Sequence, residues 1–298
     1  MILKTDRMLT FLIRLLNIAG SITEGSCSMN HQETESFIIA QLSRLTSHED
    51  WVRTLTVCQQ FHHYSFHNQL LIAIQYPQAS YVTGFHTWKK FGRSVNKGEK
   101  SIRILAPLVR KIPDANDPDR VIPRIIGFRT VSVFDVAQTS GESFNPPVAT
   151  LLHSQDHRPQ LQALLKASPV PVTFVAPTTL HGANGRYHLD TQCIEIRNDV
   201  AVDQQLKTLA HELAHHFGTY DSDTGLSRSW EECAAESTAF LACGLWGLDS
   251  QEYSAAYVAS WAAAKPEVIH QLTNTVAERL TAITALLAPI APSLDGVA

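Results

Sequence analysis

Phe37, Ile38, Leu42 and Leu45 recur three to four residues apart, the stripe of an amphipathic helix. Residues 34–74 read as helical, in runs that include 51–61 and 65–74. From 80 to 109 the period shortens. Tyr81 and Val82, then Gly92, then Gly98, then 101–105 mark short strands separated by turns. Residues 113–123 hold three prolines, three aspartates and Asn116, a composition that predicts a loop. Val131, Val133 and Val136 stand in or near alternation, so 125–136 reads as a strand-pair candidate.

Residues 139–150 read as a linker. Beyond it, a helix near 159–167, a strand near 170–175 and a hairpin from 187–190 and 193–197 precede helices that run to about Leu287. The expected class is α+β. A mixed helix and β-hairpin domain occupies 33–140, a linker 141–155, and a mainly helical domain with a small edge-stranded sheet 156–290. Residues 8–19 are apolar behind Lys4 and Arg7, but Arg14 interrupts them and no small-residue cleavage site follows. Residues 1–32 therefore read as an extension or a mis-assigned start, with the working protein beginning near Met29. No later segment reaches the ~18 consecutive apolar residues of a membrane span, so no membrane partner is expected.

Of the 298 residues, 44% are apolar and 17% charged, enough to bury real cores. A net charge of −4 excludes a polycation, so any nucleic-acid surface has to be local. Cys27, Cys58, Cys193, Cys233 and Cys243 are scattered, odd in number and form no CxxC pair. That excludes a disulfide scaffold or a cysteine zinc knuckle and predicts a reducing, cytoplasmic setting.

The densest chemistry lies in 203–218. Leu206, Leu209, Ala210, Leu213 and Phe217 make one apolar stripe, and Gly218 is a natural stop. Within it, His211, Glu212 and His215 spell HExxH. Imidazoles four residues apart lie one above the other, about 6 Å along the axis, and can converge on one metal. Glu212, rotated about 100° from His211, can reach a water on that metal without being a ligand. Zinc lowers the pKa of such a water towards ~7, and the carboxylate can then take its proton. One zinc per chain is expected, with Glu212 as catalytic base.

A zinc peptidase needs a third protein ligand. Asp221 completes His-Glu-x-x-His-x-x-Gly-x-x-Asp and resembles the metzincin arrangement. The methionine turn of that group cannot form, because the only methionines are Met1, Met8 and Met29. Glu232 and Glu236 share a face of a second predicted helix, and HExxH followed by ExxxE resembles gluzincins. There the first acid binds zinc and the second orients a ligand histidine. Glu232 is the preferred ligand. Glu236 stands as its alternative or as the orienting acid, and Ser229 through Glu232 also fits a helix capping box. Residues 193–197 are placed to serve either as a substrate-pairing edge strand or as a structural strand.

Residues 80–111 carry Lys89, Lys90, Arg93, Lys97, Lys100, Arg103, Arg110 and Lys111. Tyr81, Phe85, Trp88 and Phe91 are interleaved with them, and Glu99 is the one acid. Cations that track phosphates beside aromatic faces that stack bases suit a single-stranded DNA groove. A solvated hairpin with its aromatic residues packed inward has the same pattern.

Several motifs now align in one order. They are residues 64–72, 75–77, 84–88, 92–100 and 133–139 in the first half, and 208–215, 235–237 and 257–261 in the second. Together they resemble the ArdC-type antirestriction proteins over about 34–262. The resemblance implies an N-terminal single-stranded DNA-binding domain and a C-terminal zincin domain. It also implies an association with mobile elements, where the family shields incoming DNA from restriction. The leading reading is a DNA-tethered zinc peptidase that cuts an unknown protein on or near that DNA, with an oxyanion donor from Tyr257 or His188. The second reading is a non-catalytic single-stranded DNA-binding protein with a structural or vestigial metal. A nuclease lacks the two-metal carboxylate cluster it would need.

Overall fold

The computed structural model describes residues 28–61, 63–114, 117–144, 156–218, 228–248 and 266–287. The 1–27 segment, most of the expected linker, Asp221 and Tyr257 with the rest of 257–261 lie outside the described residues.

The chain forms two compact units. One takes residues up to Leu45 and Gln60–Pro147, the other Thr46–Gln59 and Val148–Ala298. A single cut near 140 therefore does not separate them, because helix α2 (His48–Cys58) belongs to the second unit. Its Trp51 is fully buried and donates Nε1–H to Ser237 Oγ at 3.3 Å. The following Gln59 donates to the Phe240 carbonyl at 2.9 Å.

In the first unit, helix α1 (His31–Leu42) starts at a capping box. Asn30 Oδ1 accepts the Glu33 N–H, and the Glu33 carboxylate accepts the Asn30 N–H. Helix α3 (Phe66–Gln75) and the short α4 (Phe85–Lys90) complete its helices. The sheet is built on β5 (Asp117–Asp135), which pairs along its length with β4 (Ile102–Asp114). On its other edge β5 pairs with β1 (Ser28–Met29) and β2 (Val82–Gly84).

The loop expected at 113–123 is thus the end of a long antiparallel ribbon, with Pro113 opposite Val121 and Lys111 opposite Pro123. Proline is tolerated in an edge strand wherever its missing N–H would face away from the partner, so composition alone misread this segment. The outer edge of β4 is closed by side-chain amides of α3. Asn68 exchanges two hydrogen bonds with the backbone of Leu105, and Gln75 two with that of Arg103, all at 2.8–3.0 Å. Strand β3 (Arg93–Val95) pairs separately with β6 (Thr139–Gly141).

In the second unit a three-stranded sheet has the order β7 (Val172–Val175), β9 (Cys193–Arg197), β8 (Gly185–His188). Strand β7 is parallel and β8 antiparallel to β9. Of the two readings of 193–197, this order favours the structural strand over the substrate-pairing edge. That strand is flanked on both sides, its Ile194 and Ile196 are fully buried, and among the described strands the sheet ends at β8 on one side and β7 on the other. Helix α6 (Val202–His216) packs on β8 and β9, and α5 (Arg158–Ala167), α7 (Arg228–Leu245) and α8 (Pro266–Leu287) each pack against α6. The apolar stripe of α6 behaves as its spacing requires, with Leu206, Leu209, Ala210 and Leu213 at zero exposure.

Candidate metal centre

Burying that stripe turns His211 and His215 of α6 towards α7, the helix that packs along it, and sets Glu212 against β8. His211 Nε2 and His215 Nε2 lie 3.1 Å apart. Glu232 Oε2 stands 3.4 Å from the first and 3.6 Å from the second. Among the described residues these three side chains form the cluster whose donor atoms all fall within 4.8 Å of one another. Four ligands at the ~2.0–2.1 Å of zinc–nitrogen and zinc–oxygen bonds sit roughly 3.3–3.4 Å apart at the corners of a tetrahedron. The observed spacings bracket that value.

Each imidazole is held from behind. Glu236 Oε2 lies 3.0 Å from His211 Nδ1, and Glu231 Oε1 lies 3.5 Å from His215 Nδ1. An ionised carboxylate only accepts, so each Nδ1 donates and each Nε2 keeps its lone pair for the space facing Glu232. The carboxylates are in turn paired with cations. Lys207 Nζ is 3.0 Å from Glu236, and Arg279 Nη2 is 2.8 Å from Glu231. Glu212, Glu231, Glu232 and Glu236 against Lys207 and Arg279 leave two negative charges when the imidazoles are neutral, which one divalent cation offsets. Donor set, spacing and charge all fit such an ion.

The same contacts set the proton affinities of these groups in different directions. Burial disfavours a charged His211, but the carboxylates of Glu232 and Glu236 outweigh it and raise the ring to about 10. Hydrogen bonds from His211 and then His215 hold Glu232 well below the usual carboxylate range. Glu212 moves the other way. Burial lifts its carboxyl, opposed by the charges of His211 and His215 and by a backbone hydrogen bond from Tyr187. A carboxylate lifted towards neutrality is suited to general-base work.

Strand β8 reaches this close to α6 because residue 185 is glycine. A Cβ there would stand 2.4 Å from Thr208 Cγ2 and 3.0 Å from Glu212 Oε1. Tyr187 also pairs its hydroxyl with His216 Nδ1 at 3.1 Å. His188, one of the two oxyanion candidates, is instead paired with Glu195 at 3.0 Å. Ser229 lies inside α7, so Glu232 sits in the body of the helix and faces the imidazoles.

Glu231, Lys207, Arg279, Gly185 and Tyr187 were not legible as site residues. The clearest signal was a charge on an apolar stripe. Arg279 interrupts Ile269, Leu272, Val276, Leu280 and Ile283 at core spacing.

The basic and aromatic candidates of the first unit divide into two groups. Trp88 is fully buried and donates Nε1–H to the Phe134 carbonyl at 2.9 Å, so it is core and offers no face to a base. Tyr81 packs on Trp88 and on Phe144 at centroid distances of 5.8 and 4.9 Å. Arg93 spends its guanidinium on Thr139 Oγ1, the Thr139 carbonyl and the Glu142 carbonyl, a clamp between β3 and β6. Phe85, Lys89, Lys90, Lys97, Lys100 and Arg103 are exposed. Lys89 lies 4.9 Å over the Phe85 ring, and Arg103 lies 5.4 Å over Phe37.

Comparison with known proteins gives three results. Residues 29–134 match the N-terminal domain of anti-restriction factor ArdC. The antirestriction ArdC protein from plasmid R388, in its Mn(II)-bound structure, has a TM-score of 0.55 at 21% identity, covering 87% of this chain and 98% of that one. Its metal-free structure has a TM-score of 0.53 at 21% identity, covering 77% and 87%. An uncharacterized protein of Bacillus anthracis is 24% identical over 77% of this chain and 46% of its own length. The chain therefore spans about half the length of that curated relative.

Proposed function

With an ArdC N-terminal domain and the ArdC fold, this chain is ArdC-like, and we propose that it is a single-stranded DNA-binding metallopeptidase of the antirestriction type. The observation that carries the reading is the convergence of His211, His215 and Glu232 beside a buried Glu212. Those three side chains would hold one divalent ion per chain. Two imidazoles, one carboxylate and an open position favour zinc, with manganese as the competitor. When bound, the ion supplies Lewis acidity that lowers the pKa of water towards ~7. Glu212 takes the proton of the attacking water at its carboxylate oxygen and returns it to the departing amine. The Tyr187 N–H steadies the Glu212 carboxylate between these transfers.

Strand β8 supplies the substrate-pairing edge, since its side away from β9 meets no other described strand. The substrate is an extended protein segment, brought near by DNA held on the first unit. There the exposed Phe85 face and Lys89, Lys90, Lys97, Lys100 and Arg103 meet bases and phosphates. No described helix is long and apolar enough to cross a membrane. Cys58, Cys193, Cys233 and Cys243 are all free, which supports a reducing cytoplasm.

Two experiments test the halves of this reading. An unstructured protein such as casein, incubated with the chain and Zn(2+) or Mn(2+), is expected to be fragmented. A chelator should stop the cleavage and added metal restore it, and an intact substrate throughout counts against a peptidase. For the DNA half, a single-stranded oligonucleotide titrated by fluorescence anisotropy at several salt concentrations gives a slope. Replacing Lys89, Lys90, Lys97 and Lys100 by alanine should flatten it by ~0.7 for each phosphate no longer neutralised. A wild-type slope in that variant would move the DNA surface elsewhere.

A further inference from the structure

We propose that Arg279, on the C-terminal helix α8, is a positioning residue of the metal centre, acting through Glu231 on His215. The proposal rests on the metal reading above and extends it to a helix that contributes none of the three converging donors. Arg279 is 2% exposed, and its Nη2 lies 2.8 and 2.9 Å from the two oxygens of Glu231. Glu231 Oε1 in turn stands 3.5 Å from His215 Nδ1. Gly218, just past the end of α6, leaves room for the guanidinium. A Cβ at that position would lie 2.5 Å from Arg279 Nη2, 2.9 Å from Glu231 Oε1 and 3.0 Å from the His215 carbonyl oxygen.

A helix that only needed to dock would be served as well by an apolar residue at 279. Replacing buried ion pairs by well-packed hydrophobic side chains is often neutral or stabilising. Arg279 is on the apolar stripe for what it holds. The other imidazole has the same arrangement from a different helix, with Lys207 paired to Glu236 and Glu236 to His211. Each ligand ring thus has its own carboxylate, and each carboxylate its own buried cation. The cation fixes the carboxylate, the carboxylate fixes the ring, and the ring keeps Nε2 aimed at the shared space.

The test is the affinity of the full chain for Zn(2+), measured by competition with a chromophoric chelator, beside the circular dichroism of each metal-free variant. Arg279→Met is expected to weaken binding ~10–100-fold, the usual cost of losing an outer partner of a ligand. Gly218→Ala leaves α8 untouched and should weaken binding in the same direction by displacing the guanidinium, so it decides the matter should Arg279→Met not fold. Because Arg279 acts through Glu231, the double variant Glu231→Gln with Arg279→Met should bind no more weakly than Glu231→Gln alone. Folded Arg279→Met or Gly218→Ala with wild-type affinity overturns the proposal, as does full additivity in the double variant. Wild-type chain that takes up no Zn(2+) overturns the metal reading itself, and that outcome is distinct from either of these.

Discussion

Glu212→Gln is expected to lower peptide hydrolysis ~10²–10⁴-fold, the range over which a positioned general base contributes, while leaving the metal in place. The substitution is nearly isosteric. The amide oxygen can still accept the Tyr187 backbone hydrogen bond that the carboxylate accepts now. Glu212 is not among the three converging donors, so the ion keeps its ligands. What disappears is the capacity to take a proton, at a carboxyl that burial has lifted for that task. Cleavage of an unstructured protein, followed with metal content measured on the same sample, checks both parts. Unaltered cleavage would remove Glu212 from the chemistry. Abolished cleavage with unaltered DNA binding and unaltered antirestriction would mean that DNA occupancy alone carries the biological effect.

Glu232→Ala should have the second large effect, on affinity. Among the described residues its carboxylate oxygen is the acidic atom that stands 3.4 and 3.6 Å from the two facing Nε2 atoms, so its removal takes the counter-charge from between the two imidazoles. The loss should exceed the ~10–100-fold typical of an outer partner. Glu236→Ala should stay within that range, because Glu236 contacts His211 only at Nδ1 and from behind. The order of the two effects separates ligand from orienting acid. If Glu236→Ala weakened binding more than Glu232→Ala, the assignments would have to be exchanged.

The second unit was the more legible half, and the reason is local. A 15-residue helix with one apolar stripe fixes its own rotation, so the spacing of His211 and His215 already implied convergence. The shared face of Glu232 and Glu236 followed from the same period. Which of the two acids faces Nε2 was not legible, because it depends on how α7 sits against α6, a tertiary contact without a sequence period. Arg279 was hidden for the same reason, 48 residues from Glu231 along the chain. Strand order was hidden too. The 187–190 and 193–197 hairpin was apparent from its turn, but that 193–197 is central depends on a parallel pairing with β7, 20 or more residues away. In the first unit, aromatic residues between lysines looked alike whether core or surface. Only burial separates Trp88, packed inside, from Phe85, 38% exposed.

The most direct test of the metal centre is equilibrium dialysis of the chelator-stripped protein against Zn(2+) and, separately, Mn(2+). Wild type and Glu232→Ala are run in parallel, with bound metal counted by elemental analysis. One ion per wild-type chain, and none retained by Glu232→Ala at the same free concentration, is the expected result. Wild type that binds no ion, or Glu232→Ala that binds it as wild type does, would contradict a site formed by His211, His215 and Glu232.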